Sequence, residues 1–143
     1  MAQLTISQVA KEVGLRPSAV RYYEQQKILP AAPRISGQRR YDTATVNRLA
    51  VIRCAHEAGF SLEEIRRLFS GFDSSTPIAA RWKKLAAAKV TELNERIERI
   101  QSMKDLLERL QTRCACDTIE QCGAGILRAG LRNASKAQAG GLR

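Results

Sequence analysis

The hydrophobic positions of this chain follow a helical rhythm almost from the first residue, and the rhythm changes character near residue 77. Val9, Ala10 and Val13 mark one face of a short first helix, opened by the capping-box pattern Thr5-Ile6-Ser7-Gln8 and closed by Gly14. Pro17 suits the first position of a second helix carrying Ser18-Ala19-Val20-Arg21-Tyr22-Tyr23-Glu24. Gly14-Leu15-Arg16 between them makes the pair a helix-turn-helix. Pro30 and Pro33 break the rhythm and Ser36-Gly37 reads as a turn, so the arginine-rich segment from Arg34 to Tyr41 is expected as a loop or short hairpin, a wing. Asp42 caps a third helix reaching about Ala58, with Gly59 as its stop. Ser61-Leu62-Glu63-Glu64 opens a short fourth helix ending near Ser70-Gly71.

After a linker, GFDSSTP at 71–77, neither Gly nor Pro occurs from Ile78 to Arg113. Ala79, Trp82, Ala86, Val90, Leu93, Ile97, Ile100, Met103, Leu107 and Leu110 recur every three or four residues, one apolar stripe along a rod of ~50 Å at ~1.5 Å per residue. Glu92/Arg96, Glu95/Arg99, Lys104/Glu108 and Asp105/Arg109 offer i,i+4 pairs along its flanks. Nothing upstream is large enough to cover the stripe, so it predicts pairing with a second copy, and Trp82 falls in that dimer core. The expected fold is mainly α: a winged helix-turn-helix over 1–71, a dimerisation helix over 78–113, a cysteine-bearing effector loop over 114–132 and a disordered tail over 133–143. Ile126, Leu127 and Leu131 are expected to add a helical turn or two against the cysteines.

Composition sharpens this. An aromatic fraction of 5% within an apolar fraction of 44% implies an aliphatic core, which suits helices. Over 143 residues, 24 Lys+Arg against 14 Asp+Glu give a formal charge of +10, a bias toward polyanionic partners. No window approaches the ~18 apolar residues of a membrane span. The N-terminus lacks the basic-then-apolar pattern of a secretory signal, so a cytoplasmic location is expected. There, the four cysteines are expected as free thiols, ligands or redox sensors.

In a helix-turn-helix the early residues of the second helix meet base edges and phosphates of duplex DNA; here they are Arg16, Ser18, Arg21 and Tyr22. Arg34, Arg39, Arg40 and Tyr41 of the wing are placed to grip flanking phosphates. Tyr41 has a second reading, closing the wing against the third helix, and Tyr23 reads as core. Cys114, Cys116 and Cys122 put three soft donors within nine residues, a pattern for Cu(I), Zn(II), Hg(II) or a similar soft metal ion, with Arg113 nearby to favour thiolates. Cys116 is the weakest of the three as a ligand. Cys54, inside Val51-Ile52-Arg53-Cys54-Ala55, reads as a core residue, and His56 as a surface or junction residue.

Val9-Ala10-Lys11-Glu12-Val13-Gly14-Leu15, Val20-Arg21-Tyr22-Tyr23-Glu24, Gly37-Gln38-Arg39-Arg40-Tyr41-Asp42 and Ala58-Gly59-Phe60-Ser61-Leu62-Glu63-Glu64-Ile65 together resemble the MerR family of bacterial regulators, over about Leu4 to Cys122. The resemblance implies a homodimer whose long helices pack antiparallel. It also implies a promoter with an overlong spacer that the protein bends and untwists on effector binding, aligning its elements for RNA polymerase. The seven residues between Cys114 and Cys122 are similar to the copper-sensing branch. Divalent-metal branches add a partner's cysteine near the start of the long helix, where Pro77-Ile78-Ala79-Ala80 has none. A SoxR-like branch shares the wing, Trp82-Lys83-Lys84-Leu85 and Cys-x-Cys-x5-Cys, which implies a [2Fe–2S] cluster or thiol redox switch; its first cysteine falls at Gln111 here, leaving the usual four ligands one short. From other classes, a thiol oxidoreductase using Cys114 and Cys116 leaves the wing and rod without a role, and a constitutive architectural dimer stapled by zinc leaves the effector without one.

Overall fold

The computed structural model describes residues 3–139. Helix α1, Ile6–Val13, starts on a complete capping box: Gln8 N–H donates to Thr5 Oγ1 at 3.2 Å, and Thr5 N–H to Gln8 Oε1 at 2.8 Å. Gly14 ends it at φ 70°, a left-handed backbone that favours glycine, and a Cβ there would lie 2.2 Å from Arg53 Nη1 and so displace that guanidinium. Helix α2, Pro17–Gln25, has proline in its first turn as expected. Strands β1, Arg34–Ile35, and β2, Gln38–Arg39, pair antiparallel across Ser36 and Gly37, whose φ values of 52° and 79° fit a type I′ hairpin turn. Helix α3, Thr43–Glu57, is capped by Asp42, and α4, Leu62–Ser70, by a second capping box between Ser61 and Glu64. Helix α5 spans Ile78–Arg113 and α6 spans Ile119–Ala139.

The chain divides into two compact units, residues 1–93 and 94–143. In the first, Val9, Val13, Val20, Tyr23, Leu29, Leu49, Ile52, Phe60 and Ile65 form one buried cluster drawn from α1 to α4 and the segments between them. Guanidinium groups close its helix ends. Arg53 Nη1 donates to Val13 O at 2.7 Å, and Arg66 Nη2 to Gln26 O at 2.6 Å. Arg81 Nη1 donates to Leu68 O and Phe69 O, both at 3.1 Å. Carbonyls that helices leave unpaired at their C-termini are satisfied in this way.

The beginning of α5 also belongs to this unit. Trp82, expected in a dimer core, meets Phe60 edge-on with ring centroids 5.8 Å apart and packs against the cluster. Lys89, only 5% exposed, donates to Glu64 at 2.8 Å and Glu92 at 2.5 Å, with Phe60 above its ammonium at 5.4 Å. These pairings hold Glu64 at a pKa of about 2, chiefly through the Lys89 hydrogen bond and then the Ser61 N–H. Cys54 is corrected: it is exposed, because the inward face of α3 runs Leu49, Ile52, Ala55 and Cys54 stands a third of a turn off it.

In the second unit the stripe emerges as expected and is open: Ile97 is 61% exposed and Ile100 63%, with Met103, Leu107 and Leu110 alongside. Of the flanking pairs expected there, Lys104–Glu108 forms at 3.7 Å, while Asp105 accepts from Gln101 at 2.8 Å. Helix α6, reaching Ala139, runs into the stretch from residue 133 expected as a disordered tail; residues 140–143 lie outside the described ones. The Ala-rich composition favours helix once a capped turn nucleates it.

Candidate nucleic-acid interface and metal centre

Ser18, Arg21, Tyr22 and Gln25 sit at i, i+3, i+4 and i+7 of α2, opposite the buried Val20 and Tyr23, and all four are exposed. Arg16 precedes them, exposed, at the N-cap. This is a continuous polar helix face with two guanidiniums and a phenol, suited in chemistry to base edges and phosphates. Gln25 was not among the expected residues, although the same spacing leads to it.

The wing presents Arg34 outward, with Arg39 and Arg40 half-buried. Arg40 Nη2 donates to Gln38 Oε1 at 3.2 Å, and Arg39 Nε lies 3.5 Å from a Glu24 carboxylate oxygen. Tyr41 is corrected from the list of DNA-facing residues. It is 1% exposed, pairs its backbone with Leu4 in both directions at 2.8 Å and donates its hydroxyl to Glu24 Oε1. Burial first, and then that hydrogen bond, push its phenol pKa far up. Tyr41 closes the wing, as its second reading expected, but its hydrogen bonds run to Leu4 and to Glu24 of α2, where that reading named the third helix. Glu24 itself was overlooked; a carboxylate inside an arginine-rich reading surface is the signal that marks it.

In the second unit, Cys114 and Cys116 precede α6 and Cys122 lies in its first turn. Thr118 Oγ1 accepts from Gln121 N–H at 3.1 Å, and Asp117 N–H donates to Gln121 Oε1 at 3.0 Å, which fixes the start of the helix and so the place of Cys122. The Thr118-Ile119-Glu120-Gln121 pattern could have revealed this start. The three Sγ atoms lie within 4.8 Å of one another. A soft ion bonded at about 2.3 Å needs thiolates about 4.6 Å apart in a linear pair and about 4.0 Å apart in a trigonal set, separations that fall inside this limit. A hydrogen bond from the Cys116 N–H, then one from the Cys116 thiol, lowers the Cys114 pKa; Cys116 is raised, chiefly by its bond to Cys114. The help expected from Arg113 comes instead from these neighbours. Of this pair, Cys114 is therefore the readier to ionise. Among the described residues no fourth His, Cys, Asp or Glu joins the group, which leaves it short of the four ligands that a [2Fe–2S] cluster takes.

No described helix is long and apolar enough to cross a membrane. The family model for MerR HTH family regulatory proteins matches residues 4–71, and that for the MerR DNA-binding region matches 46–110. An uncharacterized HTH-type transcriptional regulator of Pseudomonas aeruginosa is 37% identical over 120 residues, 83% of this chain and 91% of the relative. The HTH-type transcriptional regulator CueR of Salmonella typhimurium is 35% identical, over 83% of this chain and 87% of its own. Among solved structures, the transcription regulator PbrR691 from Ralstonia metallidurans CH34, in complex with lead(II), superposes with a TM-score of 0.67 at 26% identity, covering 84% of this chain and 94% of that one. These relatives are transcription regulators, which removes the oxidoreductase reading.

Proposed function

The chain belongs to the MerR family of helix-turn-helix regulatory proteins, and on that premise we propose that it is a homodimeric, cytoplasmic transcription regulator that senses a soft metal ion through Cys114, Cys116 and Cys122. The observation that carries the effector assignment is the convergence of three Sγ atoms within 4.8 Å. The Cu(I)-like spacing of Cys114 and Cys122 and the lead(II) complex of PbrR691 support a thiophilic ion.

In this reading Arg16, Ser18, Arg21 and Tyr22 contact promoter DNA from α2, and Arg34, Arg39 and Arg40 hold flanking phosphates. The open stripe of α5 pairs with that of a second copy, antiparallel, so each dimer carries two reading heads. A bound ion supplies a fixed positive centre that draws the thiolates together. Cys114, Cys116 and Cys122 would hold the ion as thiolates, Cys114 being the readier of the hydrogen-bonded Cys114–Cys116 pair to give up its proton, and the α6 cap keeps Cys122 in place. The resulting shift in the dimer distorts the promoter spacer and aligns its elements for RNA polymerase.

The test is direct. Protein purified without air and titrated with Cu(I), Hg(II) or Zn(II) should bind one ion per chain, bury three of its four titratable thiols and raise transcription from its own promoter. Four equally reactive thiols before and after every metal would refute the assignment. Visible sulfur-to-iron bands in the isolated protein would turn it toward the iron–sulfur alternative.

A further inference from the structure

A two-stranded hairpin of two residues per strand has almost no stability of its own. Neither strand of this wing buries an apolar side chain: Arg34, Ile35 and Gln38 are all exposed, and Arg39 is half-buried. Something outside the hairpin must therefore hold it in one orientation if its arginines are to meet the same phosphates each time.

Glu24 does so. Its side chain is 9% exposed. One carboxylate oxygen accepts from the Tyr41 hydroxyl just after β2, while the other accepts from Ala32 N–H at 3.4 Å before β1 and lies 3.5 Å from Arg39 Nε within β2. A single buried group thus ties both ends of the wing, and one of its guanidiniums, to a residue on α2. Arg21 stands three residues earlier on that same helix, so the anchor of the wing and the reading side chains share one rigid element. A carboxylate near DNA repels phosphate. Its presence inside this surface is consistent with a role in aiming charge, since Arg39 held through Nε keeps both Nη groups for a phosphate.

We propose that Glu24 is a positioning residue for DNA recognition: it sets the wing, and Arg39 in particular, in fixed register with the recognition helix. This rests on the DNA-binding reading above. The test uses the full-length protein and a 30-base-pair duplex selected by the wild type from a random pool, with affinity measured across salt concentrations. Each phosphate contact contributes about 0.9 to the slope of log affinity against log salt. Glu24→Gln keeps the size of the side chain and removes its charge. It should flatten the slope by about one per reading head and weaken binding about tenfold at moderate salt, with the melting temperature retained.

Arg39→Gln should produce the same flattening, and adding Glu24→Gln to it should change the slope no further. Tyr41→Phe, which removes only the hydroxyl, should give a smaller effect in the same direction and serves if Glu24→Gln fails to fold. Wild-type slope in Glu24→Gln, tighter binding without a change of slope, or full additivity with Arg39→Gln would each overturn the positioning role while leaving DNA binding intact. Failure of the wild type to select any duplex would instead overturn the reading on which it rests.

Discussion

The two units treat their apolar residues in opposite ways. In residues 1–93 Leu49 and Ile52 have no exposed surface, and no buried side-chain nitrogen or oxygen among the described residues lacks a partner. In residues 94–143, Ile97 and Ile100 stand more than half exposed in a row of similar side chains. From α1 to the start of α5 the first unit has completed its core within one chain, with α1, α3 and α4 capped by side chains and buried polar groups paired, and the stripe opens only from Val90, 54% exposed. The second presents a surface whose free energy falls only when something apolar covers it. On the proposed reading, binding DNA and answering an effector have different structural requirements: a head whose core is closed within one chain, and an effector region whose apolar row calls for a cover.

The strongest way to break this contrast is to place a charge on the open face. Burial of an isoleucine is worth about 1.5–3 kcal/mol, and two-fold symmetry counts it twice, so Ile100→Asp should weaken self-association by about 3–6 kcal/mol. Sedimentation should then show monomers, while the thermal unfolding of the head is preserved; an undisturbed dimer would mean the stripe is covered otherwise. Next in size, Cys114→Ser should abolish metal-induced transcription yet leave dimer and duplex affinity unaltered, and a variant that cannot fold would make the site structural.

Within the head, Arg21→Ala should cost about 1–3 kcal/mol of operator affinity at matched salt if it reads a base. Lys89→Met should lower the stability of the head by about 1–2 kcal/mol, since the partly sheltered Glu64 loses its cation. Because the folded pKa of Glu64, about 2, lies below its ordinary 4.5, this stabilisation is present above pH 4.5 and is lost as pH falls toward 2. Thermal melts of the wild type should decline over that interval, and those of Lys89→Met should decline less. Smallest of all, Cys54→Ser should alter neither metal stoichiometry nor melting temperature, since this thiol is exposed on α3.

Local signals carried much of this fold. Thr5, Asp42 and Ser61 each cap the helix they announce, and α5 begins directly after Pro77, although no Gly or Pro marks its end at Arg113, the next being Gly123. The grouping of the three cysteines was legible as closeness in sequence, but their convergence within 4.8 Å was not, since nine extended residues span about 30 Å and it takes the turn before α6 to bring the sulfurs together. Periodicity could not say which apolar body a stripe meets: Trp82 shares the spacing of Ile97 but packs on Phe60 of its own chain. Nor could it reveal Lys89 with Glu64, separated by 25 residues, or the choice of Tyr41 for Glu24 over solvent. Those depend on tertiary approach, which residue types along a line do not encode singly.

Arg53, Arg66 and Arg81 donate to main-chain carbonyls at the ends of α1, α2 and α4. These arginines therefore serve the fold as well as the surface charge: Arg53 and Arg66 close helix ends while their side chains stay 44% and 40% exposed. Lysine, with a single ammonium in place of a planar fork, would not hold the Thr76 carbonyl through one nitrogen and the Leu68 and Phe69 carbonyls through another as Arg81 does with Nε and Nη1, so exchanges that conserve net charge can still loosen the masonry beneath the recognition surface.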